Sequence, residues 1–148
     1  MRWIQHRGRT LRSDAGSVLI LLPACVLVVL VLAAIAVDMS LVHLRQRQAF
    51  DVAASAANDA VTAGADPASL RAGTYDVPPP AARTVVEDAV AISDLSPHVV
   101  NLEVTTLDSQ TVEVVLTVEV DHVFTGVIPG APRRSRVTAA ASASAHEL

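Results

Sequence analysis

The sequence predicts an α+β fold: one long helix, apolar in its first half, continues into a small antiparallel sheet that it helps to cover. Three observations lead there. Residues 18–37 form a run of twenty without a charge, and residues 42–62 continue with helical periodicity. From residue 99 onward the apolar positions instead alternate one by one, the period of a half-buried strand. Composition agrees, because alanine (25) and valine (24) make up a third of the 148 residues while aromatics are 3%. A hydrophobic content of 51% excludes a disordered tail. The net charge of −4 and the scarcity of aromatics argue against a nucleic-acid binder. The single cysteine, Cys25, excludes an intrachain disulfide framework and any cysteine-based zinc site.

The apolar run is the first element. Twenty residues of helix span about 30 Å, the hydrocarbon thickness of a bilayer. A buried helix of a soluble domain shows a polar face, and this run has none. Arg2, Arg7, Arg9 and Arg12 precede it against one acid, Asp14, whereas Asp38 follows it at once. The positive-inside rule then places the N-terminus in the cytoplasm and residues 38–148 outside. Residues 1–17 are accordingly read as a cytoplasmic basic segment, and 18–37 as a transmembrane helix. Ala34-Ile35-Ala36 has the A-x-A form of a secretory cleavage site, although the apolar run is longer than a usual signal-peptide core. Leu22-Pro23-Ala24-Cys25 imitates a lipoprotein box only loosely, and Cys25 reads better as a small apolar filler.

Residues 38–64 are expected to continue the same helix, since nothing breaks it before Gly64 and Pro67. On a helical wheel Val42, Ala49, Ala53, Ala56 and Ala60 fall in one narrow sector. Arg47, Asp51, Asn58 and Thr62 lie opposite. Small residues on a seam allow close approach, either by the protein's own sheet or by a helix of another subunit.

The outer domain follows a connector. Residues 65–83, with Gly73 and Pro78-Pro79-Pro80, read as an extended, polyproline-like link. Residues 84–148 read as a small α+β domain. Thr84-Val85-Val86-Glu87 has the form of a capping box opening a short helix that ends before Ser96-Pro97. Glu87 and Asp88 would then sit in its first turn, favoured by the helix dipole. Two strands, at 99–107 and 111–121, flank a tight turn at Asp108-Ser109-Gln110. In them Val100, Leu102 and Val104, and then Val112, Val114, Leu116, Val118 and Val120, point to one face, with Val115 the exception. A third strand carries Val137, Ala139, Ala141, Ala143 and Ala145 inward. Three amphipathic strands need a helix over their apolar face to be stable.

The order of parts resembles the TadE/TadG-like family of Flp pilus-assembly proteins. The resemblance rests on Arg12-Ser13-Asp14-Ala15-Gly16-Ser17 leading into the apolar helix and on Ala36-Val37-Asp38 at its exit. The alanine-rich stretch around Ala49-Phe50-Asp51-Val52-Ala53-Ala54 completes it. It covers about residues 12–63 closely and the valine-rich strands less specifically. The resemblance implies a pilin-like arrangement and a pseudopilin-like, non-catalytic part of a Tad-type pilus or secretion apparatus in a bacterial plasma membrane. Its partners would be membrane lipid and other Tad/Flp-type subunits, with Asp38 and Asp51 as its membrane-exit and helix motif and Gly16 and Ser17 as the candidate processing site. Processed members carry a glutamate shortly after the cleavage glycine, whereas Ser17-Val18-Leu19-Ile20-Leu21-Leu22 has none. That favours the TadG-like branch, a retained single-pass anchor. Asp38 reads as a charge in the headgroup zone or as a polar contact between subunits.

No pattern for chemistry emerges. His6, His43, His98, His122 and His146 are scattered with no pair at metal-ligand spacing. Ser40 and His43 lack an orienting partner, and the glycines form no phosphate cradle. The sequence therefore predicts no enzyme, no cofactor, no metal, no small-molecule substrate and no nucleic-acid partner. Residues 38–148 carry 7 arginines and 14 acids, read as an acidic solvated surface, and Arg133-Arg134-Arg136 reads as a solvated loop cluster. The alternative to a pilus or secretion component is a single-pass cell-surface binding module unrelated to pili.

Overall fold

A computed structural model describes residues 15–125 and 130–145, with side chains from residue 21. The basic residues up to Asp14, the segment 126–129 and His146 therefore lie outside the described residues. The chain divides into two units, one ending at Ala34 and one beginning at Ile35. Among described residues the first unit is helix alone, and the second contains everything considered below except the apolar stretch.

Helix α1 runs from Ala15 to Ala63 with Pro23 inside it. Within the described residues it is long and apolar enough to cross a membrane, on length and composition. Its end is set by Gly64, whose N–H donates to Ala60 O at 3.0 Å. A Cβ on Gly64 would stand 2.3 Å from that carbonyl and 3.3 Å from Val77 Cγ1. Gly64→Ala is thus expected to cost about 2 kcal/mol, measurable by denaturant unfolding, because backbone rather than a flexible side chain must give way. The Tyr75 hydroxyl donates to Val61 O, satisfying one of the carbonyls that a helix end leaves open.

The connector is more structured than its composition suggests. Helix α2, Pro67–Arg71, is capped by Asp66, whose carboxylate accepts the Ser69 N–H at 3.1 Å. Gly73 then takes φ 74°, a left-handed conformation that favours glycine. Val77, 2% exposed, enters the core, and its N–H donates to Ser109 O at 2.9 Å, tying the connector to the hairpin turn.

Helix α3, Pro79–Ala91, starts five residues before the expected Thr84. The reason is proline itself: Pro79 and Pro80 occupy the first helical positions, where a missing N–H costs nothing and φ is already helical. Thr84 is consequently no cap; its hydroxyl donates back to Pro80 O at 3.0 Å. Glu87 and Asp88 also fall beyond the first turn, and Glu87 pairs instead with Arg83 at 2.7 Å.

The sheet is an antiparallel meander of β1 (Val99–Thr106), β2 (Thr111–Asp121) and β3 (Arg134–Ser144), with β2 central. The Asp108 carboxylate accepts the Gln110 N–H at 2.8 Å and the Thr111 hydroxyl at 3.0 Å, which closes the β1–β2 turn. One register detail departs from simple alternation. The β1–β2 pairing shifts between Val99 and Asn101, so Val99 packs against the core and Val100 is left exposed. Val115 lies on the open face opposite Ala140 and Glu103.

One buried cluster holds the domain together. Ala49, Ala53, Ala56, Ala57, Ala60 and Val61 of α1 join Val86 and Val90 of α3 and the inward residues of β2 and β3. The alanine seam is therefore spent on the protein's own core, with Val42 packed at its margin. Of the expected loop cluster, Arg133 precedes β3, whereas Arg134 and Arg136 lie on the strand. Arg134 contacts Asp121 at 2.8 Å and Glu119 at 3.2 Å, and Arg136 contacts Glu119 at 3.3 Å. These exposed pairs are expected to matter little; Arg134→Ala should change stability by under about 1 kcal/mol in thermal unfolding.

Candidate functional site: a buried aspartate clasping the loop after β2

Among the described residues Asp38 is the only charged one that is buried, at 2% exposure. Its helix brings it there by position alone, one residue past the apolar run and eleven before Ala49. Oδ1 accepts the N–H groups of Val123 at 2.9 Å and Phe124 at 3.1 Å. Oδ2 accepts Phe124 N–H at 3.2 Å, Thr125 N–H at 2.7 Å and the Thr125 hydroxyl at 2.8 Å. Three successive backbone donors and one hydroxyl thus converge on one carboxylate from 85 to 87 residues away in sequence.

The electrostatics follow from those bonds. Burial by itself would raise the carboxyl's pKa; the Thr125 N–H and hydroxyl, with the Phe124 and Val123 N–H groups, outweigh it and hold the value at about 2. The carboxylate is ionised at neutral pH and its lone pairs are engaged, which leaves it poorly suited to act as a base or to ligate a cation. Its role in the geometry is to fix a loop on a helix.

His122 flanks the clasp. Its Nδ1 lies 4.0 Å from Asp38 Oδ2 and is buried without a hydrogen-bond partner, and its Nε2 is 2.8 Å from Ser135 Oγ on β3. The His122 N–H donates to Arg133 O at 3.0 Å, closing the base of the loop between β2 and β3.

The other residues singled out by sequence are not gathered at this place. Gly16 and Ser17 lie in the first turns of α1. Asp51 is exposed on the far side of α1 from the seam. The Ser40 hydroxyl donates to Ala36 O at 2.8 Å, a local helical bond, and His43 is exposed. Neither sequence reading of Asp38 included this contact, in which its carboxylate is bonded to the chain's own loop. His122, Thr125 and Ser135 carried no signal in the sequence. A carboxylate that takes backbone N–H groups leaves no residue-type pattern at the donor end. Among the described residues no three His, Cys, Asp or Glu side chains are grouped so as to hold a metal ion. No family model matches the chain, and no curated protein or solved structure shows significant similarity to it.

Proposed function

We propose that the protein is a non-enzymatic, single-pass membrane component of a Tad/Flp-type pilus or secretion assembly. In this reading the N-terminus is cytoplasmic, the helix anchors the chain in the plasma membrane, and the outer pilin-like domain docks on partner subunits. The observation that carries the reading is the character of α1. Its apolar side chains other than Ala34 are exposed through residues 21–37, whereas Ala49, Ala53, Ala56, Ala57 and Ala60 are buried in a folded domain. An exposed apolar stretch continuous with a packed helix suits an anchor that also serves as the core helix of what it anchors. The arginines before the run support the orientation. The motif resemblance around Gly16, Asp38 and Asp51 supports the class of assembly.

Intact mass and N-terminal sequencing of the protein recovered from membranes test the anchor. A start at Met1 or Arg2 is expected. A start at Ser17 would indicate prepilin-type processing, and a start at Val37 would make the protein a secreted domain and overturn the reading. Docking is tested by crosslinking and co-purification from cells that carry the apparatus. The seam alanines are buried and cannot report on a partner; Phe50, 51% exposed, can. Phe50→Asp is expected to leave the Tm within about 2 °C and to reduce recovery of apparatus proteins. Failure of wild-type protein to recover any pilus or secretion subunit would instead leave a freestanding surface module.

A further inference from the structure

We propose that the segment Val123–Thr125 rests in the interfacial layer of the bilayer, giving the protein a second contact with lipid beside its helix. The inference rests on the membrane-span reading of residues 18–37 and adds to it a depth for a distant loop. The uncharged run ends at Val37, so Asp38 marks the edge of the hydrocarbon. The N–H groups of Val123, Phe124 and Thr125 lie 2.7–3.2 Å from the Asp38 carboxylate, so these residues sit at the same level.

What they present there is apolar. Val123 is 56% exposed and Phe124 47% exposed, and Met39, next to Asp38 on α1, is 67% exposed. Phe124 is one of only four aromatic residues in the chain. A ring held at the headgroup boundary is in the layer that aromatic side chains favour. Asp38, the charge that ends the uncharged run, is turned inward and saturated by the same loop, so it places no bare carboxylate against lipid. Arg45 and Arg47 follow on α1, the first about 10 Å further along the axis, at the depth of lipid phosphates. Apolar residues at the edge with arginines one step outward match the polarity gradient of a bilayer surface.

The test uses the full chain in vesicles of mixed phosphatidylcholine and phosphatidylglycerol, with Trp3→Phe as background and one new tryptophan per variant. Phe124→Trp reports the loop, Val28→Trp the span and Ile92→Trp, at a site 88% exposed on the outer domain, the aqueous control. Lipids brominated near the carbonyl end of the chain quench shallow tryptophans, and those brominated near the methyl end quench deep ones. Phe124→Trp should be blue-shifted and quenched at least twofold more by the shallow probe than by the deep one. Val28→Trp should show the reverse, and Ile92→Trp neither. Adding Asp38→Asn to Phe124→Trp should remove at least half of the shallow quenching. A Phe124→Trp emission that stays water-like while Val28→Trp is quenched overturns the loop inference and leaves the span intact. An unquenched Val28→Trp overturns both. Efficient disulfide formation between copies carrying Phe124→Cys and Cys25→Ser, without quenching of Phe124→Trp, would show the patch to be covered by a second copy and also overturns the inference.

Discussion

Replacing Asp38 by alanine is expected to lower the Tm of the outer domain by about 10 °C or more, the largest effect of any single polar substitution in this protein. The carboxylate takes four donors from Val123, Phe124 and Thr125. Its removal leaves three backbone N–H groups without their acceptor, a heavier loss than a missing surface pair. Asp38→Asn should be nearly as damaging, because its amide nitrogen would face donors with another donor. Hydrogen exchange provides the local readout: the amides of Val123, Phe124 and Thr125 should lose protection while those of β2 keep it. Retained protection at these three amides in Asp38→Ala would contradict the clasp.

The same group gives the protein a pH dependence of defined sign. The folded-state carboxyl titrates at about 2 against an ordinary 3.8, so between those values the unfolded chain binds more protons than the folded one. Asp38 therefore contributes its full stabilisation above about pH 5, and that contribution is lost as the pH falls toward 2. Asp108 acts in the same direction, lowered by the Gln110 N–H and the Thr111 hydroxyl against a smaller opposing effect of burial. The gap in Tm between wild type and Asp38→Ala should be constant from neutral pH down to about 5 and then narrow. A gap that does not change with pH would mean that the ionised carboxylate is not what holds the loop.

Ala53→Leu should destabilise the outer domain by roughly 3 kcal/mol, the upper part of the usual range for overpacking, and Ala56→Leu by less. Both alanines are fully buried in the cluster that joins α1 to the sheet. Added methylenes at Ala53 press on the close-packed cluster, so a helix or the sheet has to shift to admit them, whereas Ala56 also borders a cleft of about 230 Å³ between α1 and α3. Asp51→Leu, on the exposed side of the same helix, should fall within about 0.5 kcal/mol of wild type and serves as the control. Equal effects at positions 51, 53 and 56 in urea unfolding would show that the seam is not tightly packed.

Local patterns were legible wherever they repeat. The long helix, the turn at residues 108–110 and β2 follow from apolar period and turn chemistry, and they are found within a residue or so of where those patterns place them. The errors occur where one residue type has two uses. Three prolines suit an extended link, but they also suit the first turn of a helix, and α3 begins on them. Val100 belongs to the inward set by alternation, but a one-residue register shift exchanges it for Val99. Arg134 and Arg136 look like a loop cluster until β3 begins at Arg134 and places them opposite Asp121 and Glu119.

The long apolar helix, its alanine-lined continuation and the amphipathic strands are each a periodic pattern of side-chain polarity, readable within a few turns of chain. What the alanine seam packs against and what Asp38 holds became visible in the folded chain alone. Both depend on contacts between residues far apart in the chain. The seam could have met any close-packed surface, and the aspartate's partners are backbone N–H groups that every residue but proline possesses. Burial beside three such donors turned a charge at the end of an apolar helix into the fastening of a loop 85 residues away.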